Sequence, residues 1–352
     1  MKIVYIDTNT LGHHISYISA LANSLNNEVV AILPEKVEAL SCKQYKYETP
    51  DRKNDKRSFS QFRKWIDEIY AFVEKENPDI VHILNGDFFY RYFGYGIKKF
   101  KKYKTVVTMH CLRDGFLNIL SAKAIASSAH AVVLHSEYLK NRLLEYGRSN
   151  GVHIEYPDFR ESNCDKVKAR EFFDLKPDIP VLACIGETRH DKGLDILLDS
   201  LNGVTEPFQL LVAGRPVHFD EAYITERTKK YDENVHLLLK FLSEDELVFA
   251  MNAADIIVLP YRAVFNAASG PLGEGVALEK CIVGPNHGNL GDTIKNNHLG
   301  YTFESEDKAS LTDTLNNALK NNFKIDESYK KYKNSLDVES FLKSYNDLYN
   351  NL

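Results

Sequence analysis

VLACIGETRHDKGLDILLDSL, Val181 to Leu201, places three kinds of sequence in immediate succession. VLACI reads as a buried strand. GETRHDKG is a glycine-flanked polar turn, and Leu194, Leu197, Leu198 and Leu201 then recur at helical spacing. Strand, turn and helix in that order make the repeating unit of a parallel sheet, because two parallel neighbours need a crossover and a helix is the usual one. Working outward, FQLLVA (208–213), VHLLL (235–239), DIIVLP (255–260) and CIVG (281–284) continue the series. Upstream lies a second series: KIVYID (2–7), EVVAIL (28–33), DIVHIL (79–84), TVVTM (105–109) and AVVLH (131–135). Between these runs apolar residues recur three and four apart, as in Ile15, Ile18, Leu21, Ala22 and Leu25. The fold class expected is α/β, with two Rossmann-like doubly wound domains.

Turn formers Pro157, Asp158, Pro177 and Asp178 flank a short helical stretch, Lys166 to Phe173, and put the break between domains near Tyr156 to Asp178. The domains expected are 1–160 and 161–335. Residues 336–352 form a closing helix whose apolar stripe (Phe341, Tyr345, Leu348 and Leu352, with Leu342 and Tyr349) packs back on the body, returning to the N-terminal domain.

The chain has 352 residues, 44% hydrophobic and 26% charged, the composition of a globular protein with room for two domains. That excludes a mainly disordered chain. No apolar run approaches the 18 or so residues that span a bilayer, and Lys2 to Asp7 lacks the features of a signal peptide, so a cytoplasmic protein is expected. Five scattered cysteines with no Cys-x-x-Cys pair read as reduced thiols, not as a zinc cage. A formal charge of -5 argues against general nucleic-acid binding. Lys98, Lys99, Lys101, Lys102 and Lys104 form the one conspicuous charge run. It reads as a solvated helix end or, with Phe100 and Tyr103 interleaved, as a peripheral contact with an anionic membrane at its inner face. The aromatics Phe88, Phe89, Tyr90, Tyr92 and Phe93 read equally as core or as part of that contact.

Two segments carry chemistry. In GETRHDKG, Arg189 and Lys192 stand at the carboxyl end of a parallel strand, where open α/β sheets take anionic ligands; a guanidinium fork and an ammonium suit two phosphates. In YRAVFNAASGPLGEGVALEKCIVGP (261–285), Ser269, Gly270 and Pro271 read as the cap and first turn of a helix, whose free N–H groups face an anion. Glu274, a little over a turn further on, is placed to accept from a ribose diol. A solvated turn and a plain capped helix are the non-functional readings of the same residues.

Together these segments resemble the retaining GT-B glycosyltransferases of the large bacterial cell-surface polysaccharide family, glycosyltransferase family 4-like, over nearly the whole chain and most closely from Val181 to Gly300. The resemblance implies a nucleoside diphosphate sugar as donor, a glycan or lipid-linked acceptor, retention of anomeric configuration, two domains facing across a cleft, and no metal or other cofactor. Residues 1–160 would then be the acceptor side and 161–335 the donor side. It assigns Arg189 and Lys192 to the diphosphate and Glu274 to the ribose. Amides of Ser269, Gly270, Pro271 and Leu272 would hold phosphate and sugar, although proline itself carries no N–H. KFLSEDEL (240–247) would meet the base through Phe241 and Leu242, and Gly214 falls at its expected place. In the N-terminal half Gly12 would approach the donor, and His110, in VVTMHCLRD, would meet the donor sugar. His13 and His14 beside Gly12 are equally compatible with site or scaffold.

The sequence departs from that pattern at three positions. Asn266 stands where many members carry a glutamate that touches the sugar, Glu187 where others often have arginine, and Glu279 where a glycine is customary. Asn266 would still bind the donor by hydrogen-bonding its sugar hydroxyls, which points to subgroup or donor choice more than to inactivity; with Glu187 it also favours the main alternative, a non-catalytic GT-B partner or scaffold, and a nucleotide-sugar epimerase or phosphorylase on the same fold are the others. A dinucleotide oxidoreductase lacks support, since no G-x-G-x-x-G follows the first strand.

Overall fold

The structure, a computed structural model, describes residues 1–10, 13–24, 26–49, 58–159, 164–265 and 268–352. It divides into two units. The first is Met1–Phe159 with Asp337–Leu352, and the second is Arg160–Leu336.

The first unit holds seven parallel strands, β1 (Lys2–Ile6), β2 (Glu28–Leu33), β3 (Lys43–Lys46), β4 (Ile80–Ile83), β5 (Lys104–Met109), β6 (Ala131–Leu134) and β7 (Gly151–His153), in the order β3-β2-β1-β4-β5-β6-β7. Alternation along β1 shows why both faces are covered. Val4 and Ile6 enter one core with Phe62, Trp65, Ile66, Ile69 and Val73 of the helix Phe59–Glu76. Ile3 and Tyr5 enter the other, with Tyr17, Ile18 and Leu21 of the helix His13–Ser24 and with Phe341, Tyr345 and Tyr349 of the closing helix Val338–Asn350. The closing helix is therefore part of the first unit's core. At roughly 1.5–3 kcal/mol for each large apolar side chain buried, these two layers hold the sheet.

The second unit repeats the plan with β8 (Val181–Ile185), β9 (Gln209–Ala213), β10 (Val235–Leu238), β11 (Ile256–Val258), β12 (Cys281–Pro285) and β13 (Gly300–Phe303), ordered β10-β9-β8-β11-β12-β13. Val181, Ala183 and Ile185 face one core while Leu182 faces the other. All described pairings in both sheets are parallel.

Two local findings change the reading of the lysine run. Phe100 and Tyr103 are buried in the first unit's core, so neither is presented to a membrane. Lys99 pairs with Asp67, and Lys102 with Glu74 at 3.0 Å, both acids belonging to the helix Phe59–Glu76. Of the upstream aromatics, Phe89 and Tyr90 are core, Phe88 and Tyr92 half-buried and Phe93 exposed. Among the described residues no helix is long and apolar enough to cross a membrane.

Candidate functional site

In the second sheet the chain runs outward from β8 through β9 to β10, then returns to the other side of β8 to lay down β11. The loops after β8 and β11 thus diverge, and the sheet offers its ligand crevice between their carboxyl ends. Both segments singled out in the sequence lie there.

Gly186 follows β8 with φ 118°, and a Cβ on it would stand 2.6 Å from Lys192 Nζ. The ammonium therefore lies directly over the strand end, and its other neighbour is the ring of Tyr261, with Nζ 5.4 Å from the centroid. Gly214, just past β9, is required by a closer approach. Its φ is 145°, and a Cβ there would come to 2.1 Å from the Gly186 carbonyl oxygen, which no side chain can do.

Arg189 does not project freely. Its Nε and Nη2 donate to the two carboxylate oxygens of Asp191 at 2.9 and 2.8 Å, and this fork holds the Asp191 carboxyl below its usual range while raising the guanidinium. Glu187 lies between two guanidiniums: Arg189 Nη1 is 3.9 Å from Oε2, and Arg215 Nη2 donates to Oε1. The main partner of Glu187 is Arg215, which comes from the β9 loop and was not foreseen. Arg262, next to Tyr261, braces the turn by donating through Nη1 to His190 O at 2.6 Å and through both Nη groups to Asp195 at 3.0 and 2.7 Å.

The second segment forms the helix Gly270–Ala277 with Ser269 at its N-cap position and Pro271 in its first turn. The Ser269 side chain does not cap it. Its Oγ lies 3.5 Å from the Tyr261 hydroxyl instead, while the amides of Leu272 and Gly273 turn back to Ser269 O at 3.2 and 3.3 Å. The Glu274 carboxylate folds back along the first turn, 3.5 Å from where a Cβ on Gly270 would be. Tyr261 is thus the residue that joins the two halves of the site: Lys192 lies over the face of its ring, and its hydroxyl meets Ser269. It is almost fully buried, and its place after the proline-ended strand was the only sequence signal for it.

Phe241 and Leu242 sit past β10, whose Leu238 carbonyl accepts from Gly214 N at 3.0 Å. Phe241 is 80% exposed, whereas Leu242 leans on the core. These two stand on the β9–β10 side of the sheet. Asn266 lies outside the described residues.

In the first unit Gly12 also lies outside the described residues. His110 follows β5; its amide donates to Asp87 Oδ2 at 2.7 Å and its Nε2 donates to Leu84 O at 3.0 Å, which puts the ring proton on Nε2. Its neighbours are the rings of His14, Tyr17 and His135. In this sheet the strand order reverses between β1 and β4, and a polar group collects at that point. Buried Asp7 accepts from the amides of Thr8 and Asn9 and from His14 Nδ1 at 3.1 Å, and Asn85 Nδ2 donates to Thr8 Oγ1 at 2.9 Å. The Asp7–His14 pair was not foreseen, because an aspartate at a strand end and a histidine seven residues later carry no motif.

Residues 165–335, nearly all of the second unit, match the family described as Glycosyl transferases group 1. Two curated relatives from Xanthomonas campestris pv. campestris, each named GDP-mannose:glycolipid 4-beta-D-mannosyltransferase, are 29% identical over 101 residues. That stretch is 28% of this chain and 28% of each relative. Solved structures align over the whole chain. HepE of Anabaena in complex with UDP gives a TM-score of 0.79 at 14% identity, covering 100% of both chains. A glycosyltransferase from Rickettsia africae gives 0.76 at 17%, covering 99% of this chain and 97% of that one. Sucrose-phosphate synthase of Thermosynechococcus elongatus gives 0.73 at 16%, covering 99% and 98%. The fold is that of the GT-B glycosyltransferases: α/β, with two Rossmann-like parallel-sheet domains.

Proposed function

We propose that this chain, whose residues 165–335 match the glycosyl transferases group 1 family, is a hexosyltransferase that moves a sugar from a nucleoside diphosphate sugar to a glycan or lipid-linked acceptor. The observation that carries the reading is the meeting of Lys192, Tyr261 and Ser269 at the second unit's switch point, with Arg189 on the same turn. When the glycosidic bond breaks, negative charge builds on the diphosphate. A guanidinium, an ammonium and the positive dipole end of the helix Gly270–Ala277 are placed to stabilise that charge. They meet the need without a metal, and we propose that the site uses none. Glu274, alongside the first turn, would take the ribose hydroxyls.

Retention of anomeric configuration follows from the family resemblance. On that route the acceptor attacks from the leaving-group face and a phosphate oxygen takes its proton. The first unit, with the Asp7–His14 pair at its own switch point, would serve the acceptor, while His110 would meet the donor sugar. The curated relatives are named for GDP-mannose and a glycolipid, and HepE is bound to UDP, so GDP-mannose and UDP-sugars are the first donors to try. Peripheral contact of residues 98–104 with an anionic membrane would fit a lipid-linked acceptor. It would rest on Lys98, Lys101 and Lys104, given the acidic partners of Lys99 and Lys102. Flotation with anionic liposomes at low salt tests it, and absence of binding removes it.

A thermal-shift screen with UDP, GDP, ADP and their sugars tests the main reading. A ligand at one hundred times its Kd stabilises by about 2.7 kcal/mol. Arg189→Ala and Lys192→Ala should each weaken the best ligand about tenfold to a hundredfold, as loss of a charge-assisted hydrogen bond of roughly 1.5–3 kcal/mol requires. An unchanged response in both variants would move the anion site elsewhere. Product analysis then separates a new glycoside from an altered sugar nucleotide, from a sugar phosphate, and from binding with no turnover.

A further inference from the structure

We propose that Arg215 is a third cation of the diphosphate site, and that Glu187 is an internal anion holding the place of a phosphate until the donor arrives. This inference rests on the reading of the second unit as a nucleoside diphosphate site, and adds to it a residue and a mode of binding.

Arg215 directly follows Gly214, whose backbone is pressed against the Gly186 carbonyl at the end of β8. Its own carbonyl accepts from Thr188 N at 3.1 Å. Thr188 is buried and stitches the two loops together. Its Oγ1 donates to Phe219 O at 2.8 Å and accepts from Val217 N at 3.0 Å, and its carbonyl accepts from His218 N at 3.1 Å. The backbone beneath Arg215 is thus fixed relative to Glu187 and Arg189 before any ligand binds. A side chain on so firm a base is preorganised for an anion at the strand ends.

Charge supplies the second step. One carboxylate, Glu187, reaches the guanidiniums of both Arg215 and Arg189, while Arg189 turns its remaining fork to Asp191. Three cations (Arg189, Lys192 and Arg215) therefore stand with two carboxylates around one strand end, leaving one net positive charge. Each of these acidic and guanidinium side chains is about one-third to just over one-half exposed, and ion pairs so open to water exchange partners at little cost. A phosphate presents more oxygen acceptors and more charge than a carboxylate to the same planar forks. It can take the place of the Glu187 carboxylate between Arg189 and Arg215, with Glu187 swinging out to solvent.

The same geometry accounts for the departure at position 187. Where the resemblance leads one to expect an arginine, the chain carries a glutamate. The guanidinium comes instead from the neighbouring strand end, and the glutamate neutralises it.

Calorimetric titration of the full chain with GDP and with UDP, at fixed low salt, tests the proposal on wild type, Arg215→Ala, Glu187→Gln and the double variant, each checked for unchanged circular dichroism. Arg215→Ala should weaken the preferred diphosphate about tenfold and leave the matching nucleoside unaffected. Glu187→Gln, which keeps the side-chain length and removes the competing charge, should tighten it about threefold. The double variant should lose that gain. Wild-type affinity in Arg215→Ala, or weaker diphosphate binding in Glu187→Gln, overturns the proposal while leaving the site in place. If Arg189→Ala and Lys192→Ala also bind as wild type, the diphosphate reading itself has failed.

Discussion

Glu76 closes the helix Phe59–Glu76 with its carboxylate buried and charged, and the ions around it explain how that is tolerated. Lys43 Nζ lies 2.6 Å from Oε1, Lys2 Nζ lies 2.9 Å from Oε2, and the Tyr45 hydroxyl donates to Oε1. Hydrogen bonds from Lys43, Tyr45 and Lys2 bring its pKa down to about 2. A carboxyl whose folded pKa is depressed contributes stability that is complete above its unfolded value and is lost as pH falls through the folded one. The contribution should therefore fade from about pH 4.5 to about pH 2. Allowing for the exposure of Lys43, it is worth about 2 kcal/mol at neutral pH. Glu76→Gln should lose about that much in urea unfolding at pH 7, and should flatten the acid limb of the stability profile. An equal loss at pH 7 and at pH 2 would remove the ion-pair account.

At the scale of elements, the ten apolar runs read from the sequence all appear as strands, and the three strands with no such run are β3, β7 and β13. Each of these lies at a sheet edge. KQYK, GVH and GYTF carry polar or glycine residues because one side of an edge strand faces water, so neither an apolar run nor clean alternation marks them. Strand β3 pairs with β2 and is tied further by Glu76, to which Lys43 and Tyr45 bind across a distance in sequence that no local pattern encodes. The site divides in the same way. Arg189, Lys192 and Ser269 were legible because turn chemistry beside a strand is local. Tyr261 and Arg215 were not, since their roles arise from which strands are neighbours. Gly214 joins the two cases. Replacing it with alanine would drive Cβ into the Gly186 carbonyl, a clash with backbone that no flexible side chain can relieve by moving. The variant should lose at least about 2 kcal/mol by denaturant unfolding and bind nucleoside diphosphate more weakly, since β8 and β9 must separate. Wild-type stability would show that the strand ends have slack.

For the molecule as a whole, the first unit is built from both ends of the sequence, and through the apolar layer that joins them runs a buried polar line. His82 on β4 hydrogen-bonds Tyr349 of the closing helix through Nδ1 at 2.7 Å and Thr108 of β5 through Nε2 at 2.8 Å. Thr108 reaches the Tyr345 hydroxyl at 3.3 Å, Tyr345 meets Tyr17, and Tyr17 reaches His135 at 3.4 Å. Burial, reinforced by His110, pushes the His82 pKa down to about 3, and burial drives His135 well below its ordinary value too. Both imidazoles are neutral in the folded unit and take up protons on unfolding. Because the unfolded chain then binds more protons, stability should fall as pH drops below about 6.5 and keep falling towards pH 3. Tyr349→Phe leaves the His82 nitrogen without its partner in a dry core, a loss of about 1–3 kcal/mol. Hydrogen exchange along the whole chain should show it as faster exchange in β1, β4, β5 and the helix His13–Ser24, with β8 to β13 unchanged. Equal acceleration in both units would mean that they open together and that the polar line does not act within one of them.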